Sequence, residues 1–187
     1  MRETVTDGTA GFWELSRLLP KPVYVPHFGG IRQVLTGVAE VRAAVNQVMG
    51  LATRTLAILT HDLEPDVYDH DAFLETLKRF ILARTFARVR VLIIEPERTL
   101  LSASRFVAMG RRLNSYIEFR RMTPELGTHP EAFFIADEQA VVYRARAESW
   151  EGISDTYEPA VARMYLSKFD TLWNACEIES ETRQLQV

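Results

Sequence analysis

Arg88-Val89-Arg90-Val91-Leu92-Ile93-Ile94, stopped by Pro96, is the clearest strand in the chain. Its β-branched side chains are stiff and pack well on a pleated surface. Upstream, Phe73, Leu74, Leu77, Ile81 and Leu82 recur at helical spacing and predict a helix over 70–85. Before that helix, Thr55-Leu56-Ala57-Ile58-Leu59-Thr60 is a second buried strand. Downstream, residues 98–113 carry Leu100, Ala103, Val107 and Gly110 on one helical stripe, and Tyr116 to Arg120 alternate with period two. Farther out, Ile31 to Leu35 predict a short strand, and Val38, Val41, Val45, Val48 and Met49 a helix over 38–52. Ala132–Ala136 and Ala140–Ala145 flank Asp137-Glu138-Gln139 as a hairpin. A last helix runs from Pro159, tolerated in a first turn, to Cys176. This order predicts an α/β domain with a mixed, mainly parallel sheet and helices on both faces.

The 187 residues suit one domain over 31–187, preceded by a proline-containing N-terminal arm over 1–30. Pro20, Pro22, Pro26 and Gly29-Gly30 deny the arm regular structure, yet Phe12, Trp13, Leu15, Leu18 and Leu19 make it too apolar for a disordered tail. The arm is expected to pack on its own domain or on a second subunit. Cys176, the one cysteine, excludes an intramolecular disulfide and cysteine-pair zinc sites. No run approaches the roughly 20 apolar residues that span a bilayer. With no apolar stretch of signal-peptide length at the start, the expected location is cytoplasmic, with no membrane partner.

The net charge of −3 conceals segregation. Positions 78–121 hold Lys78 and ten arginines against Glu95, Glu97 and Glu118, a local +8. Positions 61–77 hold six acids and no cation. Arg98, Arg105 and Arg112 lie seven apart and drift only about 20° per step, so they form one helical ridge. Arg111 lies beside it, and Arg120 and Arg121 end the following strand. The guanidinium fork suits phosphate, so the set is a candidate surface for nucleic acid or another phosphate-containing ligand. The plainer reading is a solvated face paired with the acids of 61–77 or 148–158.

His61-Asp62, Glu64 and His70-Asp71 carry metal-ligating side chains, but Pro65 and the polar composition mark a loop in which acids cap helices. Gly29-Gly30 precedes a strand rather than following one and is no nucleotide fingerprint. No Gly-x-Ser-x-Gly elbow is present. Cys176 lies on the apolar face of the last helix and belongs to the core. No cofactor is expected.

Over residues 38–177 the order of elements resembles one unit of the phospholipase D superfamily. Arg88 to Ile93 matches a Val-x-Val/Ile-Leu/Ile strand, Tyr116 to Arg120 the strand after the next helix, and Phe169 and Trp173 the closing helix. The signature strand of that family carries His-x-Lys, four residues, then Asp. With Asp137 at the aspartate, Ala132 takes the lysine position and Pro130 the histidine position. Sliding to His129 puts Glu131 at the lysine and Ala136 at the aspartate, so neither register completes the set. Arg144-Ala145-Arg146-Ala147-Glu148 stands where a Gly-Ser-x-Asn element would follow. More narrowly, the chain resembles an uncharacterised bacterial family with such a degenerate unit.

The resemblance implies that a nucleophilic histidine and a phosphate-holding lysine are missing, hence a protein that is not an enzyme of that class. It also implies a homodimer, since single-signature members pair two units. The leading expectation is a non-catalytic phospholipase D-like module that binds nucleic acid or a phosphorylated ligand through arginines. A structural or adaptor protein, holding an unidentified protein partner through its apolar arm, is the alternative. An enzyme with a relocated site is a third.

Overall fold

The computed structural model describes residues 25–27, 29–95 and 104–184. Most of the predicted arm, and Arg98 with the first turns of its predicted helix, lie outside them. In chain order the elements are β1 (Val25–His27), β2 (Gly30–Leu35), α1 (Val38–Leu51), β3 (Thr55–Thr60), α2 (Pro65–Tyr68) and α3 (Asp71–Leu82). They continue with β4 (Arg88–Ile93), α4 (Arg105–Arg112), β5 (Ile117–Arg121), β6 (Ala132–Ala136), β7 (Ala140–Arg144), β8 (Gly152–Asp155) and α5 (Pro159–Gln184).

The strands form one sheet in the order β1-β2-β8-β7-β6-β3-β4-β5. Only β3–β4 and β4–β5 are parallel; every other neighbouring pair is antiparallel. The α/β class stands, but the expected mainly parallel sheet does not. The reason is insertion: the crossover through α1 joins β2 to β3, yet β8, β7 and β6 lie between them. Alternation in sequence predicts a crossover; it does not say that the two strands are neighbours. The short β1 and β8 are also absent from the sequence reading. Strands of 3 and 4 residues carry too few positions for an apolar period to register.

Successive side chains of a strand point to opposite faces, and here both faces are covered. Leu56 and Ile58 face one core with Val91, Phe134 and the apolar sides of α1, α3 and α4. Ala57 and Leu59 face the other, with Leu92, Phe133 and Phe169, Leu172 and Trp173 of α5. The register sets Phe134 and Val91 on either side of Ile58, and Phe133 and Leu92 on either side of Leu59. Cys176 is buried in the α5 layer, as the apolar face of that helix predicts. No helix among the described residues is long and apolar enough to cross a membrane.

Helix α4 approaches β5 closely at Gly110, where an added Cβ would lie 2.2 Å from the Phe119 ring. That ring is held edge-on to Phe106 at 5.2 Å, so it cannot retreat freely. Alanine is the better helix former by about 1 kcal/mol, but overpacking costs about 1–3 kcal/mol. Gly110→Ala is therefore expected to lower stability, measured as an earlier urea midpoint. An unchanged or later midpoint would show that the ring gives way.

Candidate nucleic-acid interface

The segment that resembles a catalytic signature is split between the two ends of β6. Asp137 follows the strand, where it and Glu138 adopt φ of 54° and 65°. Gln139 N–H donates back to the Ala136 carbonyl, closing the hairpin. The Asp137 carboxylate accepts from the backbone N–H groups of Thr53, Arg54 and Thr55 and from the Thr53 hydroxyl; the hydroxyl and the N–H groups of Arg54 and Thr55 each lie at 2.7 Å. Burial raises the carboxyl pKa, but the bonds from Thr55, Thr53 and Arg54 outweigh it and hold the group below its ordinary range. Asp137 thus ties the β6–β7 turn to the start of β3.

Pro130 and Ala132 lie at the other end. Pro130 is exposed and Ala132 is buried. Directly across from Ala132 in the β6–β7 register stands Arg144, only 3% exposed. Its guanidinium donates to the Glu64 carboxylate and, at 2.9 and 3.0 Å, to the carbonyls of Ala147 and Ser149. Trp150 covers it at 4.9 Å. Burial pushes the Glu64 carboxyl up, opposed by Arg144 beside it. Leu63 and Glu64 hold positive φ without being glycine, a strained turn that the buried pair keeps in place. The cation across the ladder from the signature's lysine position is therefore committed to an internal partner.

A second constellation, which joins His61 to His129 as the sequence reading did not, gathers at the C-terminal ends of β3 and β4. His61 Nε2 donates to the His129 carbonyl at 2.8 Å, with Nδ1 3.5 Å from Glu95. His129 Nε2 donates to the Leu126 carbonyl at 3.1 Å, and Nδ1 lies 3.5 Å from Glu131, which Lys168 also meets. Each imidazole uses one N–H to hold backbone. His70 caps α3, accepting from Phe73 N–H. Among the described residues no group of three metal-ligating side chains converges.

The predicted arginines separate into two sets. Arg105 donates to Asp69 at 2.9 Å and Asp71 at 2.6 Å, an exposed network with the acidic segment. Arg120 is held by Glu118 and the Trp173 carbonyl and lies 4.1 Å over the Trp173 ring. Arg111, Arg112 and Arg121 are exposed and form no ion pair among the described residues. Arg111 and Arg121 line one groove of about 390 Å³ between α4 and the edge strand β5. Arg111 and Arg112 end α4 at the N-terminal end of the parallel strands. The same end of the parallel strands carries Arg54, ahead of β3, and Arg84 and Arg88, at the entry to β4. Arg88 N–H donates to the Arg54 carbonyl at 3.0 Å, Ala87 N–H to the Arg84 carbonyl at 3.2 Å, and Val89 N–H to the Tyr116 carbonyl at 2.8 Å. Neither Arg54, Arg84 nor Arg88 has an ion pair among the described residues.

A family model described as "Domain of unknown function (DUF7931)" matches residues 37–185. The chain belongs to this family. No curated protein matches it significantly. Among solved structures, it is similar to TrmBL2, an archaeal chromatin protein with a novel mode of DNA binding, at 16% identity and a TM-score of 0.58. That match covers 87% of this chain and 58% of the TrmBL2 chain, so this DUF7931 chain spans little more than half of that neighbour. NucT from Helicobacter pylori is similar at 13% identity and a TM-score of 0.53, covering 79% of this chain and 98% of NucT. At these identities the likeness is one of fold alone.

The basic pole of this DUF7931 domain was only half legible in the sequence. The seven-residue spacing singles out a ridge along one helix, but its usable arginines come from three connections that precede β3, β4 and β5. An arginine just ahead of each parallel strand was the available signal.

Two outcomes follow from the buried groups. Glu64→Ala leaves the Arg144 charge uncompensated and should cost about 3–5 kcal/mol in denaturant unfolding, whereas Glu64→Leu with Arg144→Met should cost far less. The lowered pKa of Asp137 stabilises the fold above the ordinary aspartate range, and that contribution is lost as pH falls through the lowered value. Asp137→Asn should therefore be less stable than the parent at neutral pH, with the gap narrowing in acid; a constant gap would mean that the charge is not what the turn uses.

Proposed function

We propose that this domain is a non-catalytic phospholipase D-like module that binds nucleic acid through its basic pole. The observation that carries the reading is the gathering of Arg54, Arg84, Arg88, Arg111 and Arg112 at one end of the sheet, without ion pairs among the described residues. Side chains that repel one another and lack acidic partners are free to take up phosphate oxygens, and arginine does so with two parallel N–H donors. The DNA binding of TrmBL2, an archaeal chromatin protein of similar fold, supports the same chemistry. The lack of catalysis rests on Pro130 and Ala132, which supply neither a nucleophile nor a cation, and on the internal commitment of Arg144.

The triple change Arg88, Arg111 and Arg112 to Ala should abolish binding to labelled DNA or RNA while shifting stability by less than about 0.5 kcal/mol. Every arginine that neutralises a phosphate should, once replaced, lower the salt slope of binding by roughly one unit. Arg105→Ala, which removes only the pairs to Asp69 and Asp71, should leave affinity unchanged. Binding insensitive to salt, or unaffected by the triple change, rejects the interface. Turnover of a phosphodiester substrate that survives purification and is lost with His129→Ala would reject the non-catalytic part.

A further inference from the structure

We propose that the connection from Leu82 to Arg88 selects single-stranded nucleic acid, stacking bases on Leu82 and Phe86 while Arg84 and Arg88 hold the intervening phosphates. The inference rests on the polyanion reading above and adds the form of the polymer. Leu82 is 68% and Phe86 58% exposed, and no other phenylalanine among the described residues shows as much of its surface. Nothing in the fold requires this. The connection is anchored by Ala87, fully buried, and by the backbone bonds from Ala87 to Arg84 and from Arg88 to Arg54. Phe86 is thus presented outward on a fixed backbone, leaving apolar surface in water.

Leu82, Arg84, Phe86 and Arg88 alternate apolar and cationic at every second residue. A single strand likewise carries flat bases beside its phosphates, and every base offers a face whatever the sequence. A duplex hides those faces, so its phosphates meet the arginines while Phe86 and Leu82 find nothing. A lipid surface separates its anionic and apolar groups by depth, which suits a cationic rim around an apolar centre better than strict alternation along one connection.

The test compares a labelled oligothymidylate with a duplex of equal length by fluorescence anisotropy. The single strand should bind at least about tenfold more tightly. Leu82→Ser with Phe86→Ala should bring it down to the duplex affinity, leaving duplex binding and the melting temperature unchanged. Phe86→Trp should keep the affinity and have its emission quenched by the oligothymidylate. Equal affinities for the two forms, or an unquenched tryptophan, overturn the stacking proposal and leave the polyanion reading standing. Binding to phosphatidylserine vesicles that needs Leu82 and Phe86, with no oligothymidylate binding, overturns it in favour of a lipid surface. If neither nucleic acid binds, both readings fail together.

Discussion

The arrangement depends on β3. Its side chains are buried on both faces, and a buried backbone must place every N–H and C=O in a hydrogen bond. β4 meets that demand on one edge in parallel, and β6 on the other in antiparallel. The strand is therefore a seam between two kinds of sheet. On the parallel side, each strand is followed by a helix that must return across a face, which brings α3 and α4 over Leu56 and Ile58. On the antiparallel side short turns suffice, no helix is needed, and the opposite face is left for α5. The four donors gathered by Asp137 lock these halves together at the point where β3 begins.

The same topology sorts charge. A helix between two parallel strands runs against them, so its N-terminus lies at the strands' C-terminal ends and its C-terminus at their N-terminal ends. Acids are favoured near helix N-termini and cations near C-termini. Asp71 stands in the first turn of α3, and Arg111 and Arg112 in the last turn of α4. Helix dipoles alone thus account for part of the basic pole and give Arg111 and Arg112 a structural reason to be there. They do not account for Arg54 and Arg88, which lie at strand entries rather than helix ends. Arg54 has no side-chain partner among the described residues and Arg88 donates only to the neighbouring Ala87 carbonyl at 2.8 Å, so these two weigh more in the proposed reading than the helical ridge that the seven-residue spacing singles out.

What the sequence disclosed, and what it withheld, follows from range. Elements with a long apolar period were legible: α1, α3, β3, β4 and the β6–β7 hairpin lie within a few residues of their expected places. Neighbour relations were not, because Leu59 meets Phe133 and Leu92 through backbone pairing that no local pattern encodes. Likewise, Arg105 and Arg112 share a helical stripe by spacing, yet one meets Asp69 across the fold and the other meets solvent. The partners of a side chain are long-range facts. Burial of Arg144 against Glu64, 80 residues away, is the extreme case: nothing in the composition around either residue distinguishes them from solvated charges.

That buried pair also bears on why the two ends of β6 carry such different residues. The aspartate position serves the turn after β6, while the histidine and lysine positions face the opposite end of the strand, so the two ends answer to different demands. A residue with no side-chain acceptor at 137 would leave three backbone N–H groups at the start of β3 unpaired, which would unsettle the seam. Pro130 and Ala132 serve no such backbone groups. Once a buried arginine across the ladder takes a carboxylate as its partner, a lysine at position 132 would bring a second cation into the same dry space. Repulsion there would oppose folding unless an anion arrived to neutralise it. Ala132 beside Arg144 thus avoids that repulsion and lets the buried pair with Glu64 stand.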